Sequence, residues 1–146
     1  MKTKDHLIIY TLMSGLFLLI DQLLKFLART NPDFNLYIWK PWLGWEYFAN
    51  PGIAFSLPVP NWLVLLVTPI ILILFIALIL KSKKKNNLFY FSIFLIVTGA
   101  ISNFIDRILF SATIDYIRIL TGIINLADVM IVIGAGMMVM REWRRK

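Results

Sequence analysis

Two aspartates bracket a short connection late in the chain, Asp115 in "TIDY" and Asp128 in "INLADVM". Two carboxyl groups brought close cannot both ionise readily, so one titrates low, the other high, and they hold a proton between them. The ionised member can activate a water while the protonated one donates to a scissile carbonyl, which is the chemistry of an aspartic peptidase. Other chemistries are poorly supplied. The chain has no Cys and a single His, His6, among polar residues near its start. That removes thiolates and disulfides and argues against a His-based zinc site or a Ser-His triad. A serine nucleophile would need a lysine base, and neither Ser14 nor Ser102 has an evident partner in the sequence.

Further polar residues accompany the pair. Asp21 and Lys25 are four apart and share a helix face. Asn103 shares a face with Asp106 and with Arg107, at i+3 and i+4, although those two neighbours diverge from each other. Each group has a structural explanation when read alone. Asp21–Lys25 could be an ion pair that snorkels to an interface. Arg107 could reach another helix or a lipid headgroup. Asn125 could cap a helix with Asp128 at N3, where negative charge is favourable. A cap needs no second carboxylate, however, and Asp115 lies close by in sequence.

The elements that must position these groups are membrane helices. Of 146 residues, 60% are hydrophobic and 16% charged, with a mean hydropathy of +0.78. An ordinary soluble domain is roughly 45–50% apolar. The reading is a mainly α membrane protein of one domain, 1–146, with four transmembrane helices over about 6–28, 61–80, 88–110 and 123–140 and an outer loop over 29–60. Each stretch is long enough to span a bilayer core, which takes roughly 20 helical residues. "LLIDQLLKFLARTNP" has no small-x-small cleavage site, so the first span reads as retained rather than as a signal peptide.

The net charge of +7 would raise nucleic acid as a partner in a soluble protein. Here Lys2, Lys4, Lys81, Lys83, Lys84, Lys85, Arg141, Arg144, Arg145 and Lys146 flank the apolar stretches. Their placement puts both termini and the 81–87 turn in the cytoplasm, and no nucleic acid is needed to explain the charge. The other two connections hold only Arg29, Lys40 and Arg118 and face outward. On this topology Asp21, Lys25, Asn103, Asp106, Arg107, Asp115, Asn125 and Asp128 gather at one outer depth, and ionisable residues so placed usually mark function.

The outer loop carries Trp39, Trp42, Trp45 and Trp62, suited to a membrane–water boundary. Leu43–Phe48, a turn at Asn50-Pro51-Gly52 and the run Ile53–Leu57 read as a small extracytoplasmic β-hairpin or curved sheet between the first and second helices. Its edge could receive an extended peptide. Two other functions fit the composition: a proton-coupled channel or transporter, and a non-catalytic assembly factor whose charges only pair helices. Against a relay, Leu65–Leu80 and Ile131–Met140 are almost wholly apolar, and no internal repeat is present.

The chain resembles the lipoprotein signal peptidases, signal peptidase II, through five motifs in order. "DQLLK" resembles DQ-x-x-K, at Asp21 and Lys25. "NPGIAF" resembles N-x-G-x-A-F, at Asn50, Gly52, Ala54 and Phe55. "GAISNFIDR" resembles GG-x-x-N-x-x-DR, at Asn103, Asp106 and Arg107. "TIDY" resembles V-x-DF at Asp115, and "INLAD" resembles FN-x-AD at Asn125, Ala127 and Asp128. Ala100, Tyr116 and Ile124 depart from the family's usual Gly, Phe and aromatic residue. The resemblance implies a four-helix membrane fold with an outer β-cradle and a mobile outer helix or loop. It implies an aspartic dyad of Asp115 and Asp128. Asn103, Arg107 and Asn125 would support the dyad or position substrate, with Asp106 in the same motif. Asp21, Lys25, Asn50 and Gly52 would hold the surrounding architecture or the peptide. The substrate would be a lipidated prolipoprotein, cut just before its diacylglyceryl-modified Cys, with membrane lipids as the other partner and no metal or organic cofactor. The enzyme would be a multi-pass monomer of the bacterial cytoplasmic membrane, its active site at the extracytoplasmic face.

Overall fold

Polar residues point inward along the first helix and apolar ones point outward, the reverse of a soluble protein. In a computed structural model, which describes residues 3–53, 57–81 and 86–144, α1 spans Thr3–Thr30. Its Ser14, Asp21, Lys25 and Ala28 are buried, while Leu12 is 68% and Leu19 66% exposed. Such a helix is stable only where its surroundings are as apolar as its outer face. Among the described residues, two helical stretches are long and apolar enough to cross a membrane, Ile8–Thr30 and Asn87–Phe110, and a shorter apolar one covers Asn61–Ala77. Lys2, Ala54, Phe55, Lys83, Lys84, Lys85, Arg145 and Lys146 lie outside the described residues.

The chain continues through β1 (Leu36–Trp39), β2 (Leu43–Asn50), α2 (Asn61–Lys81), α3 (Asn87–Phe110), β3 (Thr113–Ile119), β4 (Gly122–Ile124) and α4 (Leu126–Trp143). Asn86 caps α3 by accepting the Phe89 N–H. The largest helix–helix contact is between α3 and α4, and α2 packs on α3. Two glycines permit the α3–α4 approach. A Cβ at Gly99 would lie 2.5 Å from the Ala127 carbonyl oxygen, and one at Gly134 would lie 2.6 Å from that of Ser92.

The four strands form one antiparallel sheet in the order β1-β2-β3-β4. This corrects the sequence reading in two ways. The partner of β2 in its hairpin is the upstream β1, with the turn at 40–42; of the run Ile53–Leu57, residues 54–56 lie outside the described residues. Asn50-Pro51-Gly52 ends the sheet: the Asn50 side chain accepts the Gly52 N–H at 3.0 Å, a local turn that competes with strand continuation. In addition, half of the sheet comes from the connection between α3 and α4, which read as a plain loop. Strand β2 pairs with β3 from Leu43↔Ile119 to Asn50↔Thr113, and Leu120 N–H donates to Trp42 O at 2.7 Å where the two hairpin turns meet. Arg118 and Glu46 form an ion pair on this sheet. The fourth helix also starts at Leu126 rather than near 123, because Gly122–Ile124 pairs with β3 and Asn125 is the cap.

Candidate active site

Two clusters of charge lie side by side where the sheet meets the helices. The first is closed and paired. Lys25 Nζ sits 2.9 Å from Asp21 and 2.8 Å from Asp106, and all three residues are buried. The remaining lone pairs are taken too. Ser102 Oγ donates to Asp21 at 2.5 Å, Tyr116 Oη donates to Asp21 at 2.8 Å, and Ile114 N–H donates to Asp106 at 3.0 Å. Gln22 Nε2 donates to Ser102 Oγ at 2.8 Å and to Asp106 at 3.2 Å. A buried ion pair needs this completeness, since any unmet charge would carry a large desolvation penalty. The i,i+4 pair predicted on α1 is therefore an internal brace tied to α3, not a snorkelling pair. Ser102 proves to have a lysine beside it, at 3.2 Å. Lys25 is bonded to two carboxylates as well, so it belongs to this brace rather than to a serine nucleophile.

The second cluster has two carboxylates and neutral amides. Asp115 comes from β3, and Asp128 is the N3 residue of α4. Asn125 caps α4 in a full capping box: its side chain accepts the Asp128 N–H at 2.8 Å, and Asp128 accepts the Asn125 N–H at 3.3 Å. The same Asn125 side chain donates to Asp115 Oδ1 at 2.6 Å. One amide thus joins the two aspartates. Asn50 Nδ2 donates to Asp115 Oδ2 at 3.1 Å, and Asn103 Nδ2 donates to Asp128 Oδ1 at 2.8 Å. Asn103 also accepts from Lys25 at 2.9 Å, so it links the clusters.

Environment distinguishes the two carboxyl groups. Asp115 is 1% exposed, whereas Asp128 is half-buried. Burial pushes the Asp115 carboxyl up to about 7, and the charge of Asp128 adds to the shift, against the opposing hydrogen bonds from Asn50 and Asn125. Such a group is poised to exchange protons near neutrality.

The α4 N-terminus has no donors to spare. The N–H groups of Asn125, Leu126, Ala127 and Asp128 go to Asp128, Tyr116 Oη, Asp21 and the Asn125 side chain, respectively. Backbone amides that could cradle a reacting oxygen are therefore occupied here.

Arg107 does not bond either aspartate of the pair. Its guanidinium donates to Gly52 O and, at 3.5 Å, to Asn61 Oδ1, while Asn61 Nδ2 donates to Arg107 O at 3.2 Å. It thus ties α3 to the turn after β2 and to the start of α2. A cleft of about 470 Å³ opens at this junction, lined in part by Gly52, Pro58, Asn61 and Ser111. Among the described residues no group of His, Cys, Asp or Glu is arranged to hold a metal ion.

The structure brings all ten candidate residues to one end of the helices. The sequence reading gave no site role to Gln22, Ser102 or Tyr116, although it named Ser102 as a serine without an evident partner. Gln22 stood inside the first motif, and Tyr116 stood out as a departure from the usual Phe. Its hydroxyl makes two hydrogen bonds.

Comparison with known proteins agrees with the motif reading. A family model described as signal peptidase (SPase) II matches residues 13–144. The chain is similar to the lipoprotein signal peptidase of Listeria monocytogenes serotype 4a (strain HCC23), at 31% identity over 88% of this chain and 89% of that protein. It is also similar to the lipoprotein signal peptidase of Chlorobium phaeobacteroides (strain BS1), at 32% identity over 90% of this chain and 93% of the relative. Among solved structures, a bacterial membrane enzyme superposes with a TM-score of 0.84 at 24% identity, covering 92% of this chain and 87% of that one.

Proposed function

The chain belongs to the signal peptidase II family of proteases, and from this premise we propose that Asp115 and Asp128 are the pair with which it removes the signal peptide of a prolipoprotein. The observation that carries the proposal is the Asn125 side chain, which reaches Asp115 at 2.6 Å and accepts from the Asp128 backbone at 2.8 Å. Capping α4 needs only the bond to the Asp128 backbone; the donation to Asp115 goes beyond it and joins the second carboxylate to the first, with no cation among the described residues bonded to either. The fully buried Asp115 keeps the proton of the pair, and the more accessible Asp128 accepts one from water.

The steps follow from that division. Asp128 takes a proton as water oxygen bonds to the scissile carbonyl carbon. Asp115 donates its proton to the carbonyl oxygen, giving a neutral tetrahedral diol. Asp128 then protonates the leaving nitrogen, the C–N bond breaks, and the diol returns a proton to Asp115. Donation from Asp115 takes the place of an oxyanion hole, in keeping with the occupied amides at the start of α4. The proposed scissile bond is the one before a diacylglyceryl-modified Cys, and the cleft beside Gly52 and Asn61 would take the peptide near it.

The proposed setting is the bacterial cytoplasmic membrane, crossed by all four helices of a monomer with both termini inside. The basic residues at one end and the sheet with its carboxylates at the other support this orientation. The test is gel-shift cleavage of a lipidated prolipoprotein by purified wild type, Asp115→Asn and Asp128→Asn. Both variants should insert, fold and lose about a hundred- to ten-thousand-fold in turnover. Wild-type turnover by either would overturn the dyad.

A further inference from the structure

We infer that Tyr116 is a positioning residue for this reaction: its phenol oxygen sets the first turn of α4, and with it Asp128, against Asp115 and α1. The inference rests on the Asp115/Asp128 assignment above. Neighbouring residues on a strand face opposite ways, so β3 holds the start of α4 from two directions. Asp115 takes the Asn125 side chain at 2.6 Å. Tyr116, the next residue, accepts the Leu126 N–H at 3.1 Å and donates to Asp21 Oδ1 at 2.8 Å. The same Asp21 oxygen accepts the Ala127 N–H at 3.3 Å.

The phenol oxygen has little freedom. The ring is 1% exposed, packs on Trp45 with centroids 5.0 Å apart, and belongs to the core with Ala28 and Ile114. Burial, together with the charge of Asp21, pushes the phenol up from its ordinary value, so it stays a donor. A phenylalanine would fill the same space but leave Leu126 N–H without an acceptor.

The link to chemistry is distance along the turn. Leu126, Ala127 and Asp128 are consecutive in one helical turn, so displacement of the first moves the carboxylate of the third. Among the described residues, only Tyr116 and Asp21 bond the Leu126 and Ala127 amides. Reaction rates respond to such displacement steeply: about 1 Å at the reacting groups can cost about a hundredfold.

The experiment compares wild type, Tyr116→Phe and Asp128→Asn on a lipidated prolipoprotein, reading kcat and KM, the thermal midpoint and hydrogen exchange at Leu126. In Tyr116→Phe, kcat should fall about tenfold or more with KM within about twofold, a thermal midpoint lowered by no more than a few degrees and faster exchange confined to the start of α4. Wild-type kcat in Tyr116→Phe beside an inactive Asp128→Asn would overturn this inference alone. So would a loss confined to KM, or a variant that fails to fold, since either assigns the phenol another role. Full activity in Asp128→Asn would instead overturn the dyad, and this inference with it.

Discussion

The Asp21–Lys25–Asp106 cluster and the Asp115–Asp128 site are built from the same acidic side chain at the same end of the molecule, yet they are opposites. In the first, a lysine lies within 3 Å of both carboxylates and every neighbour completes their hydrogen bonding. In the second, Asn125 joins the two carboxylates, Asn50 and Asn103 each bond one of them, and among the described residues no cation bonds to either. A buried carboxylate given a counter-charge within hydrogen-bonding reach serves as a brace. Deprived of one, it is driven toward its neutral form and becomes able to carry a proton. Asn103 is where the clusters meet, accepting from Lys25 and donating to Asp128.

That contrast predicts different responses to loss of a charge. The largest expected effect is from Lys25→Met, which strands Asp21 and Asp106 without a partner and should cost about 3–5 kcal/mol of stability. It should appear as a collapse in thermal midpoint or folded yield. Asp128→Asn should leave the midpoint nearly unchanged while abolishing turnover. Equal destabilisation by the two substitutions would break the distinction between brace and site.

The pH dependence sharpens the comparison further. The Asp115 carboxyl lies at about 7 in the folded chain, above its unfolded value, so the folded state binds this proton more tightly. Its contribution to stability is full below about pH 4 and is lost as pH rises toward 7. Wild type should therefore lose a few kcal/mol relative to Asp115→Asn between those limits, measured by denaturant unfolding in detergent. On the proposed mechanism, turnover should fall as pH rises through about 7, as the pair gives up the proton assigned to Asp115. A flat alkaline limb would remove Asp115 from the role of acid.

The smallest expected effect is from Gly99→Ala. A Cβ there would meet Ala127 O at 2.5 Å and Ile131 Cγ1 at 2.8 Å, next to Asp128 rather than next to the Lys25 brace. Overpacking of this kind costs about 1–3 kcal/mol. Activity should suffer more than stability, because the backbone that must yield carries the Asp128 turn. Loss of stability with full specific activity would show that the turn tolerates displacement.

The amino-acid sequence by itself determined the apolar helices, the identity of the charged residues, the capping role of Asn125 and the motifs that mark the family. These are properties of local spacing, residue chemistry and linear order, and they need no partner from elsewhere in the chain. Tertiary structure decided which aspartates are braced and which are not. Asp21 reaches Ser102, Tyr116 and Ala127, and Asn50 reaches Asp115, all across long stretches of chain. It also decided that the outer sheet is assembled from two separate connections, and that Tyr116 bonds to Leu126 and Asp21. The physical reason is common to all of these. Lone pairs, amides and strand edges are alike in sequence wherever they occur, and their partners are selected only when close packing of α1, α3 and α4 brings specific ones within hydrogen-bonding distance.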